Sequence, residues 1–176
     1  MLFSAFKSHR LMKHQILNHT QVLQKIRRIA FQLYENNFQE KELVFVGIQG
    51  VGYTLASMLE QVFGEISPIK TTLGKIQIDK IQPLLHEVAL DLAPELLADK
   101  CIVLVDDVLN TGKTLAYSLK PFLKANIAKL QIAVLVDRNH RLFPVSADYV
   151  GYALSTTLRE HVQVVQENQE ITAYLS

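Results

Sequence analysis

The sequence predicts an α/β fold in which a mostly parallel sheet is flanked by helices. Three short apolar segments rich in β-branched residues, 43–48, 101–105 and 130–136, have the character of strands buried on both faces. Each ends in a polar turn, and amphipathic helical patterns follow the first two turns. Strands that alternate with helices predict parallel pairing through right-handed crossovers.

The composition predicts one soluble, cytoplasmic domain over residues 1–176. Of the 176 residues, 49% are hydrophobic, which excludes the disordered class and allows a sizeable core. The single cysteine excludes a disulfide framework and any site built from several cysteines. No apolar run is long enough to cross a bilayer, so we expect no membrane partner. The role of residues 1–13 stays open, and disorder is one expectation for them.

The charge is unevenly distributed along the chain. The formal net charge is +1, which gives no global electrostatic reason to expect a nucleic-acid partner. Residues 1–30, however, carry six basic residues and no acid, whereas the rest of the chain is mildly acidic. A solvated helix face is the simplest explanation of this basic segment.

The first predicted element is an amphipathic helix. From Thr20 to Leu33 the apolar residues recur at helical spacing, so one face packs inward. Asn18 or Thr20 is positioned to cap this helix, and residues 35–37 are suited to end it.

The remaining elements place three polar turns, 48–53, 106–114 and 137–141, at one edge of the sheet. The elements are a helix from the first turn to Gly64, a helix from near Thr114 that bends or ends near Pro121, and short strands at 147–152, 162–166 and 171–175. The carboxyl ends of parallel strands meet at one edge, and ligands of such sheets bind outside them. A ligand site is therefore expected where these turns meet.

The turn after the second strand carries the most chemical information. It reads Asp106-Asp107-Val108-Leu109-Asn110-Thr111-Gly112-Lys113-Thr114. The backbone N–H groups of a helix start, together with hydroxyl and ammonium groups, bind phosphate. The two carboxylates are able to accept hydrogen bonds from sugar hydroxyls or to hold a hard divalent cation. An acidic turn that merely starts a helix explains the carboxylates alone, but not the whole string.

Two common phosphate loops are excluded. Gly112-Lys113-Thr114 ends like a P-loop, but Asp107 occupies the position of its first glycine. The turn with Gly50 and Gly52 is not a dinucleotide fingerprint, because the third glycine position holds Leu55.

Residues 103–114 resemble the phosphoribosyl-diphosphate (PRPP) signature of type I phosphoribosyltransferases. Residues 132–151 resemble the bifunctional pyrimidine-operon attenuator/uracil phosphoribosyltransferase proteins in particular, and the likeness covers most of residues 14–175. The resemblance implies a small hood, a flexible loop, and a homodimer or larger homo-oligomer. It also implies transfer of phosphoribose from PRPP to a nucleobase, with uracil the first candidate, in pyrimidine salvage. Pyrophosphate is then released and Mg²⁺ is the cofactor.

The resemblance also assigns roles to particular residues. Asp106 and Asp107 would hold the ribose, with Mg²⁺ carried mainly by PRPP and linked to them through water. The 5-phosphate would lie against Asn110, Thr111, Gly112, Lys113 and Thr114, and the pyrophosphate against Gln49, Gly50, Val51 and Gly52. Arg138, Tyr149 and Val150 would line the base pocket, and Arg28, His140 and Arg141 match part of an RNA-reading face.

The sequence departs from this family in its first turn, in the flexible loop and on the RNA-reading face, where Phe31, Ser146 and Tyr152 stand in place of basic residues. The first turn, 49–52, lacks the Lys and Arg typical of the attenuator proteins, and no Tyr-Arg-Asp-Asp string occurs where the flexible loop is expected. Lys80, His86 and Glu87 are candidate substitutes, although a solvated or partner-facing segment is the simpler explanation. Two alternatives therefore stay open: an RNA-binding attenuator that senses nucleotides, and a PRPP- or nucleotide-binding protein that has lost catalysis.

Overall fold

The computed structural model describes residues 14–84, 86–157 and 159–176. The expectation of disorder for residues 1–13 lies outside these ranges. The described residues form a six-stranded sheet, a separate three-stranded sheet and the helices that cover them. None of the helices within these ranges combines the length and the apolar character needed to span a membrane.

The elements follow one another in an order that alternates strands with helices for most of the chain. They are β1 (His14–Leu17), α1 (His19–Asn37), β2 (Glu42–Ile48), α2 (Val51–Ile66), β3 (Lys70–Gln77), β4 (Ala89–Leu90), a 3-10 turn (Pro94–Leu96), β5 (Cys101–Leu109), α3 (Lys113–Ser118), α4 (Lys120–Leu123), β6 (Lys129–Asp137), β7 (Tyr149–Ala153), β8 (Val162–Glu167) and β9 (Glu170–Leu175).

The large sheet confirms the predicted fold class. Its strand order is β4-β3-β2-β5-β6-β7, and all neighbouring pairs are parallel except β3 with the short β4. The chain passes from β2 outward to β3 and then returns to the other side of β2 with β5. The strand order therefore reverses between β2 and β5, and ligands bind at such a switch point.

Helices cover both faces of this sheet. Phe45 on β2 packs in one core together with Phe63 of α2 and with α1. The next residue, Val46, points to the opposite face and joins the core that contains Phe122 of α4. Successive side chains alternate between the faces of a strand, so the apolar run of β2 is buried on both sides, as predicted.

Asn18 begins α1 with a reciprocal pair of hydrogen bonds. Its side-chain oxygen accepts from the Gln21 N–H at 2.9 Å, and the Gln21 side chain accepts from the Asn18 N–H at 2.9 Å. This capping box satisfies two N–H groups that otherwise lack a helical partner. The helix ends at Asn37, where the sequence predicts its end.

The structure differs from the sequence prediction in several elements. The strands β1, β3 and β4 are not predicted. The prediction that Gly64 ends α2 is wrong, since the helix continues to Ile66. β5 continues to Leu109, because its residues keep pairing with β6 beyond Val105. The two acids Asp106 and Asp107 therefore lie within the end of a strand and not in a turn.

The three-stranded sheet corresponds to the predicted small hood. Its strand order is β1-β9-β8, with both pairs antiparallel. The Ile171 N–H donates to His19 Nδ1 at 3.1 Å, and the Thr54 hydroxyl donates to Gln166 at 2.9 Å. These bonds hold the small sheet against the start of α1 and the first turn of α2.

Candidate functional site

Two neighbouring cavities lie at the switch point of the large sheet. One, of about 220 Å³, is lined by Asp106, Lys80 and the loop 110–114 that follows β5. The other, of about 770 Å³, is lined by the first turn at Gln49 and Gly50 and by the segment after β3. Lys80 lines both cavities, so it forms part of the wall between them.

The two carboxylates at the end of β5, Asp106 and Asp107, form an acid pair that shares one cation. Asp106 is only 2% exposed, and Lys80 Nζ lies 3.3 Å from Asp106 Oδ1 and 3.6 Å from Asp107 Oδ1. The backbone N–H groups of Asp107 and Val108 donate to the Asp106 and Asp107 carboxylates at 3.0 and 2.9 Å. Burial and the neighbouring Asp107 raise the pKa of Asp106, and Lys80 counteracts part of this rise.

The loop between β5 and α3 is held in one conformation. Gly112 has φ +84°, a left-handed conformation that glycine adopts without strain. The N–H groups of Leu142 and Phe143 donate to the Thr111 carbonyl at 2.9 and 3.0 Å, and the Lys113 N–H donates to the Thr111 hydroxyl at 3.3 Å. The loop therefore presents the Lys113 and Thr114 end of α3 in a fixed position beside the acid pair.

The first turn contacts both the segment after β3 and the acid pair. The Gln49 side chain donates to the Ile78 carbonyl at 3.1 Å, and Gly50 has φ +89°. A Cβ on Gly52 would lie 3.1 Å from Asp106 Oδ1 and 3.2 Å from the Val105 carbonyl. A glycine at position 52 thus allows α2 to begin directly against the buried carboxylate.

Arg138 joins the loop after β5 to the segment after β7. It is 4% exposed and donates to Asn110 at 3.0 Å, to the Thr156 hydroxyl at 2.9 and 3.1 Å, and to the Glu160 carbonyl. A cavity of about 410 Å³ adjoins it, lined also by Asn110, His140 and Arg141. Arg138 therefore lines a cavity beside loop 110–114, and its role in binding a base stays a prediction from the resemblance.

The structure does not bring the Tyr149 side chain to this cavity. Tyr149 is the first residue of β7, whereas the cavity lies beyond the carboxyl ends of the strands. Its side chain is 2% exposed and packs in the core on the α1 face. Its hydroxyl accepts from Gln131 at 2.9 Å and from Asn36 at 3.2 Å. Val150 points to the other face of the sheet and packs against the second core.

The three residues predicted for an RNA-reading face all have partners within the fold. Arg28 donates to the carbonyls of Val150 and Gly151 at 2.7 Å, at the outer edge of β7. Arg141 forms an ion pair with Asp137 at 2.6 Å, and His140 Nε2 lies 2.6 Å from the Thr156 carbonyl. These partners are compatible with a structural role for each residue.

Lys80 is the site residue whose role the sequence did not settle. A solvated segment was the simpler expectation for it, whereas the structure places it on the acid pair. The signal that identifies it is electrostatic: two adjacent carboxylates at the end of a buried strand need a cation. Lys80 is also the one Lys or Arg between positions 76 and 99. His86 and Glu87 line the larger cavity beside Lys80.

The acid pair fits a magnesium ion that brings most of its own ligands. Carboxylate oxygens suit Mg²⁺, which keeps several waters and is commonly held by one or two carboxylates plus substrate phosphates. Within residues 14–84, 86–157 and 159–176, no group of three or more His, Cys, Asp or Glu could form a metal site. Asp106 and Asp107 are two adjacent carboxylates, the number of protein ligands that such a magnesium site uses.

Comparisons with known proteins identify the family of this chain. The sequence model of the family described as "Phosphoribosyl transferase domain" matches residues 12–168. The "Bifunctional protein PyrR" of Clostridium novyi (strain NT) is 34% identical over 163 residues, which covers 87% of this chain and 90% of that protein. The protein of the same name from Deinococcus radiodurans is 35% identical over 159 residues, covering 86% and 87%.

Solved structures show the same fold at lower identity. The hypoxanthine phosphoribosyltransferase of Trypanosoma cruzi superposes with a TM-score of 0.73 at 16% identity, covering 90% of this chain and 94% of that one. A hypoxanthine-guanine phosphoribosyltransferase of Bacillus anthracis gives a TM-score of 0.69 at 17% identity, covering 90% and 96%. Given the matched family model and these relatives, the chain belongs to the phosphoribosyltransferase family.

Proposed function

We propose that this protein transfers phosphoribose from PRPP to a nucleobase, uracil, and releases pyrophosphate. The observation that carries the proposal is the acid pair at the end of β5. Asp106 lines the cavity formed with loop 110–114, and its carboxylate lies directly against Gly52 at the start of α2. The family match supports the reaction class, and the sequence resemblance to uracil phosphoribosyltransferase proteins supports the base.

In the proposed reaction the acid pair and the loop position the ribose. The sugar hydroxyls donate to the carboxylates of Asp106 and Asp107, and the 5-phosphate binds the hydroxyls of Thr111 and Thr114 and the Lys113 ammonium. The positive-φ conformation of Gly112 and the bonds to the Thr111 carbonyl hold this loop before the ligand arrives. Such positioning lowers the barrier, because orientation is established when the substrate binds.

The bond changes balance without a strong acid or base from the protein. A base nitrogen bonds to the anomeric carbon, while the bond from that carbon to the pyrophosphate oxygen breaks and the pyrophosphate keeps the electron pair. The proton of the base nitrogen passes to the departing pyrophosphate or to water. Mg²⁺, when bound, neutralises charge on the diphosphate. Asn110 carries an amide, which is unable to act as a general base beside the nucleobase.

Pyrophosphate release measures the proposed activity. The assay uses PRPP, Mg²⁺ and one base at a time from uracil, hypoxanthine, guanine, adenine and orotate, with the wild type and Asp107→Asn. We expect release with uracil and its loss in the variant. Release with a different base alone would replace uracil as the substrate. No release with any base would exclude transfer and leave PRPP or nucleotide sensing.

We propose RNA binding as a second function, which the exposed face of α1 favours. Lys25 Nζ lies 5.9 Å from the centroid of the Tyr152 ring, and the Arg27 guanidinium lies 5.6 Å from that of Phe31. Cationic and aromatic side chains presented together are typical of surfaces that bind phosphates and stack on RNA bases. Reversing the charge of Lys25 and Arg27 is expected to weaken RNA affinity and reduce its salt dependence. An unchanged salt dependence would contradict this function.

A further inference from the structure

Lys80 has a fixed backbone and a side chain that can move. Before Lys80 in the chain, the Ile78 carbonyl accepts a hydrogen bond from the Gln49 side chain at 3.1 Å. After Lys80, the N–H groups of Ile81 and Gln82 donate to the Asp79 carboxylate, both at 2.9 Å. The Lys80 side chain is nevertheless 41% exposed. The ammonium can therefore change partners on its flexible stem without movement of the chain.

The present partners of this ammonium are the groups that a ribose must use. Lys80 contacts Oδ1 of both Asp106 and Asp107. Among the described residues, it is the cation within salt-bridge distance of the pair. Sugar hydroxyls that donate to these carboxylates would replace the hydrogen bonds of the ammonium, and the Mg²⁺ that accompanies PRPP would replace its charge. Lys80 is then released from the pair.

In the larger cavity, the pyrophosphate group of PRPP would be a second partner for the released ammonium. The first turn, which borders this cavity, has no Lys or Arg at positions 49–52. A leaving pyrophosphate gains negative charge, and a preorganised cation at that point stabilises the transition state. Lys80 already lines this cavity together with Gln49 and Gly50.

We propose that Lys80 is an exchangeable counter-ion of the reaction. In the free protein it neutralises Asp106 and Asp107. When the ribose hydroxyls occupy the acid pair, Lys80 transfers to the pyrophosphate group and supplies the positive charge that the first turn lacks. The proposal rests on the proposed function, since it assigns a role in the same reaction.

Binding of two partial ligands separates this role from a structural one. Titration calorimetry with pyrophosphate plus Mg²⁺, and separately with ribose 5-phosphate, compares the wild type with Lys80→Gln, Lys80→Arg and Lys75→Gln. Lys75 is the matched control, because it lies on β3 shortly before Lys80 and its ammonium lies over the Tyr53 ring, 5.4 Å from the centroid.

We expect Lys80→Gln to weaken pyrophosphate binding about 10- to 100-fold, as loss of a charge-assisted contact does. Ribose 5-phosphate affinity is not weakened, because this ligand displaces Lys80 from the acid pair. Lys80→Arg keeps most of the pyrophosphate affinity, and Lys75→Gln changes neither ligand.

Equal weakening of both ligands by Lys80→Gln would overturn the proposal, because Lys80 would then only organise the site. Unchanged pyrophosphate binding would overturn it as well, and so would a wild type that binds no pyrophosphate. If pyrophosphate binding depends on Lys80 but no base gives turnover, the counter-ion role stands and the proposed transfer fails.

Discussion

At the scale of single residues, the fold keeps Asp106 in surroundings that oppose its charge. The carboxyl is buried beside Asp107, and only part of the cost is offset by Lys80. Groups with perturbed pKa values concentrate at functional sites, where stability is sacrificed for binding. The structure therefore predicts that this position favours function over stability.

Replacing Asp106 with the neutral asparagine should stabilise the protein and abolish binding of PRPP. The raised pKa means that the folded state holds the Asp106 proton to higher pH than the unfolded chain does. Wild-type stability thus falls as pH rises above the unfolded pKa of about 4. We expect the Tm of Asp106→Asn to exceed that of the wild type by about 2–4 °C near neutral pH.

Thermal unfolding from pH 5 to pH 8 provides the check, and the gap between the two Tm values should widen as pH rises. A variant with a lower Tm across this range would show that the ion pair with Lys80 outweighs the burial of the charge.

At the scale of elements, the first turn of α2 approaches β5 closely because residue 52 is glycine. A Cβ at this position would contact Asp106 Oδ1 at 3.1 Å. Gly64, later in the same helix, has no atom within 4 Å of an added Cβ. Alanine substitutions at these two glycines therefore separate the effect of helix propensity from the effect of contact with the site.

Gly64→Ala should stabilise the protein by about 0.5–1 kcal/mol, since alanine favours the helix interior. Gly52→Ala gains the same propensity but pushes against the carboxylate, so we expect it to lower PRPP affinity. Chemical denaturation and calorimetry of both variants measure these effects. Equal PRPP affinity in the two variants would contradict a role for the close approach at Gly52.

Local patterns predicted some elements well and missed others for physical reasons. α1 could be predicted because its apolar spacing and the Asn18 cap are local signals. β3 could not, because it lies next to the short edge strand β4 and most of its residues are not fully buried, which removes the continuous apolar run. The end of β5 was also missed, because pairing with β6 carries charged residues into the strand.

At the scale of the whole molecule, the sequence predicted that the polar turns lie together at one edge of the sheet. It did not predict that Lys80 lies between the two cavities. Parallel strands place their carboxyl ends together, so the acid pair and loop 110–114 meet the first turn. The contact of Lys80 with the acids depends on where an irregular segment crosses the sheet edge. The inward orientation of Tyr149 likewise depends on the register of β7 with β6, which no local pattern specifies.

Cys101 reports on unfolding of the whole molecule, because it is the single cysteine and lies fully buried in the core. Burial raises the pKa of its thiol to about 11, which leaves little reactive thiolate near pH 8. We expect a thiol reagent to label the native protein slowly, and labelling to follow the denaturant unfolding curve. Fast labelling without denaturant would contradict this packing.

Binding of PRPP with Mg²⁺, measured by titration calorimetry, is the most direct test that the acid pair and loop 110–114 form a PRPP site. The comparison uses the wild type, Asp107→Asn and Asp99→Asn. The last is an exposed control with φ +55°, a conformation that asparagine tolerates. We expect the wild type and Asp99→Asn to bind alike and Asp107→Asn to lose about tenfold or more in affinity. Equal binding by all three proteins, or no binding by the wild type, would contradict a PRPP site at the end of β5.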